Sequence, residues 1–136
     1  MTYYLATILE TSFSEAIEMT ELALQSEGFG IISRIDMQEA LKTKIGVDFR
    51  PYTILGACNP KLAYEALQIE DKVGTMLPCN VVVQAIDDRH TEVAAIDPVA
   101  SMQAIENADL VSAAGEVRAK LAKVIESLDA GNATDR

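Results

Sequence analysis

The class of the fold is decided by residues 80–96, which read NVVVQAIDDRHTEVAAI. Two runs rich in β-branched and aliphatic residues, 80–86 and 92–96, flank the polar break Asp87–His90. Such runs are typical of strands, and a short polar break between them is typical of a hairpin. The stretch therefore predicts an antiparallel pair, with the wholly apolar Val81–Val83 in a central strand.

The chain before this hairpin alternates between predicted strands and predicted helices. Segments 3–9, 30–35 and 52–57 have the aliphatic character of strands. A helix start follows each of them, and the capping residues are Ser12 with Glu15, Asp36 with Glu39, and Asn59 with Pro60. Gly28 and Gly46 supply the left-handed stops of the first two helices.

The last third of the chain has helical periodicity. Its apolar residues recur at steps of three and four, at Leu110, Ala114, Val117, Leu121, Val124 and Leu128. This stripe fits packing on the domain's own sheet, and it also fits a helix–helix seam in a dimer. Residues 129–136 carry no apolar side chain larger than alanine, so we expect a flexible C-terminal tail there.

These elements predict a single α+β domain over residues 1–128, in the order β-α-β-α-β-α-β-β-α. The chain of 136 residues is long enough to bury its own core.

Composition limits the partners and the compartment. The formal net charge of −10 repels phosphate backbones, so we expect no nucleic acid as a partner. No run approaches the roughly 20 apolar residues that a membrane span needs, and the N-terminus lacks the basic region of a signal peptide. With only two cysteines, a disulfide framework is not indicated, and we expect a cytoplasmic protein.

Two Cys-Asn pairs at strand boundaries are the most unusual features. The candidate ligand-binding residues are Cys58, Asn59, Pro60, Pro78, Cys79 and Asn80. The plainer interpretation is that both cysteines pack as small hydrophobic residues. No C-x-x-C spacing exists, and two thiolates fall short of the usual four zinc ligands, so no metal site and no cofactor are predicted. His90, the single histidine, lies in the predicted turn and is interpreted as a surface residue.

Several strings together resemble the prokaryotic family called domain of unknown function 302. They are GFG (28–30), ID (35–36), KIGVDFRPY (44–52), ILGACNP (54–60) and GTMLPCNV (74–81). The resemblance covers the chain from about Thr11 to Leu128. It implies a curved, mainly antiparallel sheet with helices packed on one face, similar to the arrangement of the TATA-binding protein, and a homodimer. It implies no established activity.

Three functional hypotheses follow. The first is a homodimeric module that binds a small ligand or a partner between the Cys58 and Cys79 loops, without catalysis; binding of a soft metal, copper or zinc, is a variant of it. The second is thiol-based redox or sensing chemistry, in which Cys58 reacts and Cys79 resolves. The third is an interaction scaffold that uses the C-terminal helix through residues such as Leu121.

Overall fold

A five-stranded antiparallel sheet forms the centre of the protein, of which the computed structural model describes residues 2–134. The strands are β1 (Tyr4–Leu9), β2 (Gly30–Asp36), β3 (Tyr52–Cys58), β4 (Cys79–Ala85) and β5 (Thr91–Ile96). They lie in the order β1-β5-β4-β3-β2, and every neighbouring pair is antiparallel. The predicted β4–β5 hairpin and the α+β class are confirmed.

The helices connect and cover the strands in the predicted order. They are α1 (Phe13–Ser26), α2 (Met37–Ile45), α3 (Pro60–Ile69), α4 (Pro98–Ser101) and α5 (Ala108–Thr134), with a 3₁₀-helix at Asp71–Met76. Local signals account for their ends. The side chains of Ser12, Asp36 and Asn59 each accept a hydrogen bond from a backbone N–H in the first turn. Gly28 and Gly46 have positive φ angles of 87° and 68°, as the helix ends require.

The main core lies between one face of the sheet and helices α1 and α5. Strand residues at alternate positions supply the sheet side, and Leu55, Val81, Val83 and Val93 are fully buried there. A second, smaller cluster lies beyond the sheet, where α3, the 3₁₀-helix, α4 and α5 meet; its buried members are Ala66, Val73, Met102, Leu110 and Ala114.

The C-terminal helix differs from two sequence-based expectations. Its apolar stripe packs inside the domain, and Leu121 is fully buried, so this stripe does not form a dimer seam and Leu121 does not offer a contact to a partner. The helix also continues past the predicted boundary at residue 128, and the carboxylate of Asp129 accepts a hydrogen bond of 2.8 Å from the Thr7 hydroxyl. Residues 135 and 136 of the predicted flexible tail lie outside the described part of the chain.

Between residues 2 and 134, no helix combines the length and the apolar character needed to cross a bilayer.

Candidate functional site

Sheet topology brings the two cysteines to the same end of the sheet. Strand β3 ends at Cys58 and the antiparallel strand β4 begins at Cys79, with Ala57 directly opposite Cys79 in the register. Both cysteines are free thiols. Two sulfur atoms that are 21 residues apart in sequence therefore lie on neighbouring strand ends.

Local packing holds each cysteine in place. The Asn59 side chain accepts a hydrogen bond of 3.2 Å from the backbone N–H of Leu62, which starts α3 immediately after Cys58. On the other strand, Pro78 packs so closely over β3 that a Cβ added at Gly56 would lie 2.9 Å from its Cγ and would also meet the Ser33 hydroxyl. Only glycine at position 56 accommodates this approach, so Gly56 is part of the structure that positions Cys79.

A narrow apolar cavity opens between the cysteines and the second core cluster. Its volume is about 30 Å³, and a cavity of about 10–15 Å³ already holds one water molecule on this measure. The sheet end, α3, the segment before β4, α4 and α5 all contribute to its wall. The lining residues are Phe29, Ala57, Cys58, Asn59, Leu62, Ala63, Ala66, Leu77, Pro78, Cys79, Pro98, Met102, Ala113 and Val117.

The electrostatics of the cavity keep the inner thiol neutral. Burial, with a further contribution from the neighbouring Cys58, raises the pKa of the Cys79 thiol from 9.0 to about 11. Cys58 is half-buried, whereas Cys79 is 8% exposed. Among the described residues, no acid, base or histidine lines this cavity. The arrangement can hold a small soft or apolar ligand, but it supplies no group that would take a proton from either thiol.

The structure assembles four of the six candidate residues. Cys58, Asn59, Pro78 and Cys79 all line the cavity. Pro60 does not line it and serves as the exposed first residue of α3. Asn80 points to the opposite face of the sheet, since neighbouring residues of a strand alternate between faces.

Sequence reasoning missed the residues that close the cavity from the helical side. Met102 follows α4 and is 6% exposed, and Phe29 and Leu62 complete the apolar wall. The Asp97 side chain caps α4 by accepting hydrogen bonds from the backbone N–H groups of Val99 and Ala100, but no local pattern connects that helix to the cysteines.

A second feature is the face of the sheet that α1 and α5 do not cover. One apolar row crosses all five strands through successive partners, namely Ile35, Ile54, Val82, Ala94 and Ala6. Tyr4 and Ile35 on this face are 43% and 47% exposed. A continuous apolar surface of this kind is typical of an interaction site.

Arg50 and Glu92, beside this row, are linked through the neutral side chain of Gln84. The Arg50 guanidinium donates a hydrogen bond of 2.9 Å to the Gln84 side chain, which donates one of 2.9 Å to the Glu92 carboxylate. One positive and one negative group thus lie at the two ends of one chain of hydrogen bonds. The open face carries apolar and balanced groups on a protein whose net charge is −10.

His90 lies in the hairpin turn, as predicted. Its Nδ1 is 2.8 Å from a carboxylate oxygen of Asp87. The backbone hydrogen bond from Arg89, and then the bond with His90, lower the pKa of the exposed Asp87 carboxyl. Neither cysteine lies in this turn, and the pair serves to order the hairpin.

Comparisons with known proteins agree with one another. The model of the family described as "Domain of unknown function DUF302" matches residues 5–128. The fold is similar to the crystal structure of an uncharacterised conserved DUF302 protein from Bacillus stearothermophilus, with a TM-score of 0.85 and 29% sequence identity. That match covers 93% of this chain and 98% of the other. A comparison with curated proteins found no match.

Proposed function

Because the chain belongs to the DUF302 family, which carries no assigned activity, we propose a function from its own site. The protein is a homodimeric binding module that catalyses no reaction. One observation carries the proposal: two free thiols from separate strands border a single small apolar cavity. A packed core has no need of such a void, since interiors are normally filled to crystal-like density.

The size and lining of the cavity limit the ligand. Pockets for drug-sized molecules or coenzymes measure roughly 300–1,000 Å³, whereas this cavity holds about 30 Å³. The ligand is therefore one atom or a few heavy atoms, and it is apolar or soft. The high pKa of Cys79 also disfavours its use as a nucleophile, because the thiolate is the reactive form of cysteine.

Xenon tests the cavity without assuming the natural ligand, because this apolar atom enters dry cavities. Under xenon pressure we expect saturable NMR shifts at the amides of Ala57 and Cys79, and none at Val82 on the opposite face. Ala113→Leu fills the cavity and should abolish the shifts. Ala119→Leu makes the same change at an exposed position of α5 and should retain them. Absence of saturable shifts in the unmodified protein would refute the binding proposal.

Reversible thiol oxidation is a second candidate, favoured by the adjacent strand ends of Cys58 and Cys79. Oxidised glutathione would take up the two electrons and two protons as the cysteines join. The intact protein would then lose the mass of two hydrogen atoms, and Cys58→Ser would not. If both thiols stay reduced under conditions that oxidise the unfolded chain, this candidate fails.

The dimeric part of the proposal rests on the open face of the sheet, and the occupant we propose is a second copy of this chain. Five strands about 4.8 Å apart and about 20 Å long give a flat area of about 500 Å². The uneven height of the side chains and the rim of the sheet add to this area. A standard interface buries about 800 Å² of surface on each partner. Two copies with a net charge of −10 each repel, so they meet most favourably where charges are already paired.

Sedimentation of two matched variants tests this interface. Val82→Lys places a cation in the middle of the apolar row and should give a monomer. Leu22→Lys makes the same kind of change on α1, where Leu22 is 67% exposed, and should remain dimeric. A monomeric unmodified protein, or a dimer that survives Val82→Lys, would contradict the proposed interface.

A further inference from the structure

Three sulfur-bearing side chains line the small cavity described above: Cys58, Cys79 and Met102. They come from three different elements, the end of β3, the start of β4 and the residue after α4. We propose that this cavity is a soft-metal site that takes a single cuprous ion, with the two cysteine sulfurs as principal ligands and the Met102 thioether as the third. This inference rests on the proposed function, since it names the ligand of the same cavity.

Sulfur atoms are almost the only side-chain atoms in the wall of this cavity that could bind a metal ion. Asn59 is the only lining residue with an oxygen-bearing side chain, and that oxygen already accepts the hydrogen bond that caps α3. Carboxylate and imidazole groups do not line the cavity within the described chain. Thiolate and thioether donors select soft ions, whereas magnesium, calcium and manganese prefer oxygen.

The number of donors distinguishes copper from zinc. Structural zinc is almost always bound by four ligands, and residues 2–134 contain no group of three or more His, Cys, Asp or Glu side chains that could hold a metal ion. A cuprous ion has a filled d shell and is satisfied by two or three sulfur ligands. The cavity volume of about 30 Å³ has room for one ion.

Charge balance is satisfied by proton release. Binding of the cuprous ion to two thiols forms two Cu–S bonds and transfers two protons to solvent: Cu⁺ + 2 RSH → [Cu(SR)₂]⁻ + 2 H⁺. The product carries one negative charge. Helix α3 begins at Pro60, directly after Cys58 and its cap Asn59, and the positive end of the helix dipole stabilises an anion at that position.

Anaerobic titration with the cuprous ion tests the inference. Competition with the chelator bathocuproine disulfonate should show one bound ion per chain. X-ray absorption should show copper bound by sulfur only. Cys58→Ser and Cys79→Ser should each weaken binding by more than about 100-fold, beyond the 10- to 100-fold that loss of a supporting group costs a metal site. Met102→Leu should weaken it by about 10-fold.

Met19→Leu is the matched control. Met19 is half-buried in α1 and does not line the cavity, so the same substitution there should leave the affinity unchanged. Because serine at the buried position 79 can impair folding, the absorption spectrum of the unmodified protein decides independently of the variants. Nitrogen or oxygen ligands in that spectrum, or no competition with the chelator, would overturn the assignment. If xenon enters the cavity and copper does not, the result supports the binding module and refutes the metal site. If neither enters, both proposals are refuted.

Discussion

The Cys79 thiol makes the stability of the protein depend on pH. Burial, and then the neighbouring Cys58, raises the pKa of Cys79 in the folded protein to about 11, against 9.0 for an unburied thiol. Between pH 9 and pH 11 the unfolded chain loses the Cys79 proton, whereas the folded chain retains it. The contribution of this thiol to the free energy of unfolding is therefore full below pH 9 and falls as the pH rises towards 11. The loss is about 1.4 kcal/mol per pH unit over this window.

The test is urea denaturation of the unmodified protein and of Cys79→Ala at several pH values between 8 and 11. Lysine and tyrosine titrations occur in both proteins and cancel in the difference. The advantage of the unmodified protein over Cys79→Ala should therefore shrink by about 2–3 kcal/mol across the window. A difference that stays constant would show that the thiol titrates normally in the folded state.

Gly56 is the residue that permits the close approach of Pro78 to the sheet. A Cβ at position 56 would lie 2.9 Å from Pro78 Cγ and would collide with the Ser33 hydroxyl. Gly56→Ala should therefore cost about 1–3 kcal/mol of unfolding free energy through overpacking. Gly115→Ala is the control, because nothing lies within 4 Å of a Cβ added there. In the middle of α5 that change should add about 0.5–1 kcal/mol. Equal denaturation midpoints for the two variants would refute the steric argument.

The Thr7 side chain of β1 makes a polar contact with the last turns of α5. Thr7 is 9% exposed, and its hydroxyl donates a hydrogen bond of 2.8 Å to Asp129. Asp129→Ala should cost about 1–2 kcal/mol, because a buried hydroxyl loses its acceptor. The same change in a Thr7→Val background should cost almost nothing, and Glu126→Ala on the exposed side of α5 is the control. Thermal denaturation of the four variants and the unmodified protein gives the coupling energy between Thr7 and Asp129. Additive effects of the two substitutions would contradict a stabilising hydrogen bond between these side chains.

Elements whose signals are local were predictable from the sequence. The hairpin around Asp87–His90 and the caps at Ser12, Asp36 and Asn59 depend on neighbours within a few residues, and all of them are present. The end of α5 was not predictable, because the contact between Asp129 and Thr7 spans 122 residues of sequence.

The candidate site was partly within reach of sequence reasoning. Alternation along a strand implies that Cys79 and Asn80 point to opposite faces, but it does not show which of them shares a cavity with Cys58, because Ala57 is the residue directly opposite Cys79. The position of Met102 could not be predicted from the sequence, because it follows from the packing of α4 and α5 beyond the end of the sheet. Topology therefore contributes what local patterns cannot, namely which distant side chains share one cavity.

For the whole molecule, charge and the open face of the sheet act in opposite directions on self-association. A net charge of −10 on each copy opposes dimerisation at long range. The proposed interface is held by apolar contact around Val82, where Arg50 and Glu92 are linked through the side chain of Gln84. Raising the sodium chloride concentration from about 0.02 M to about 0.5 M screens the repulsion and leaves the apolar contact intact, so the dimer dissociation constant should fall by about 10-fold.

Sedimentation velocity across this salt range, at constant pH, measures the effect. Chloride is preferred to sulfate, because sulfate by itself strengthens apolar burial. Val82→Lys should remain monomeric at every salt concentration, which separates the screened repulsion from a general effect of salt on solubility. A dissociation constant that rises with salt would mean that ion pairs join the two copies. In that case the surface between the copies would have to be sought where acidic side chains of one copy can meet basic side chains of the other, instead of on the open sheet.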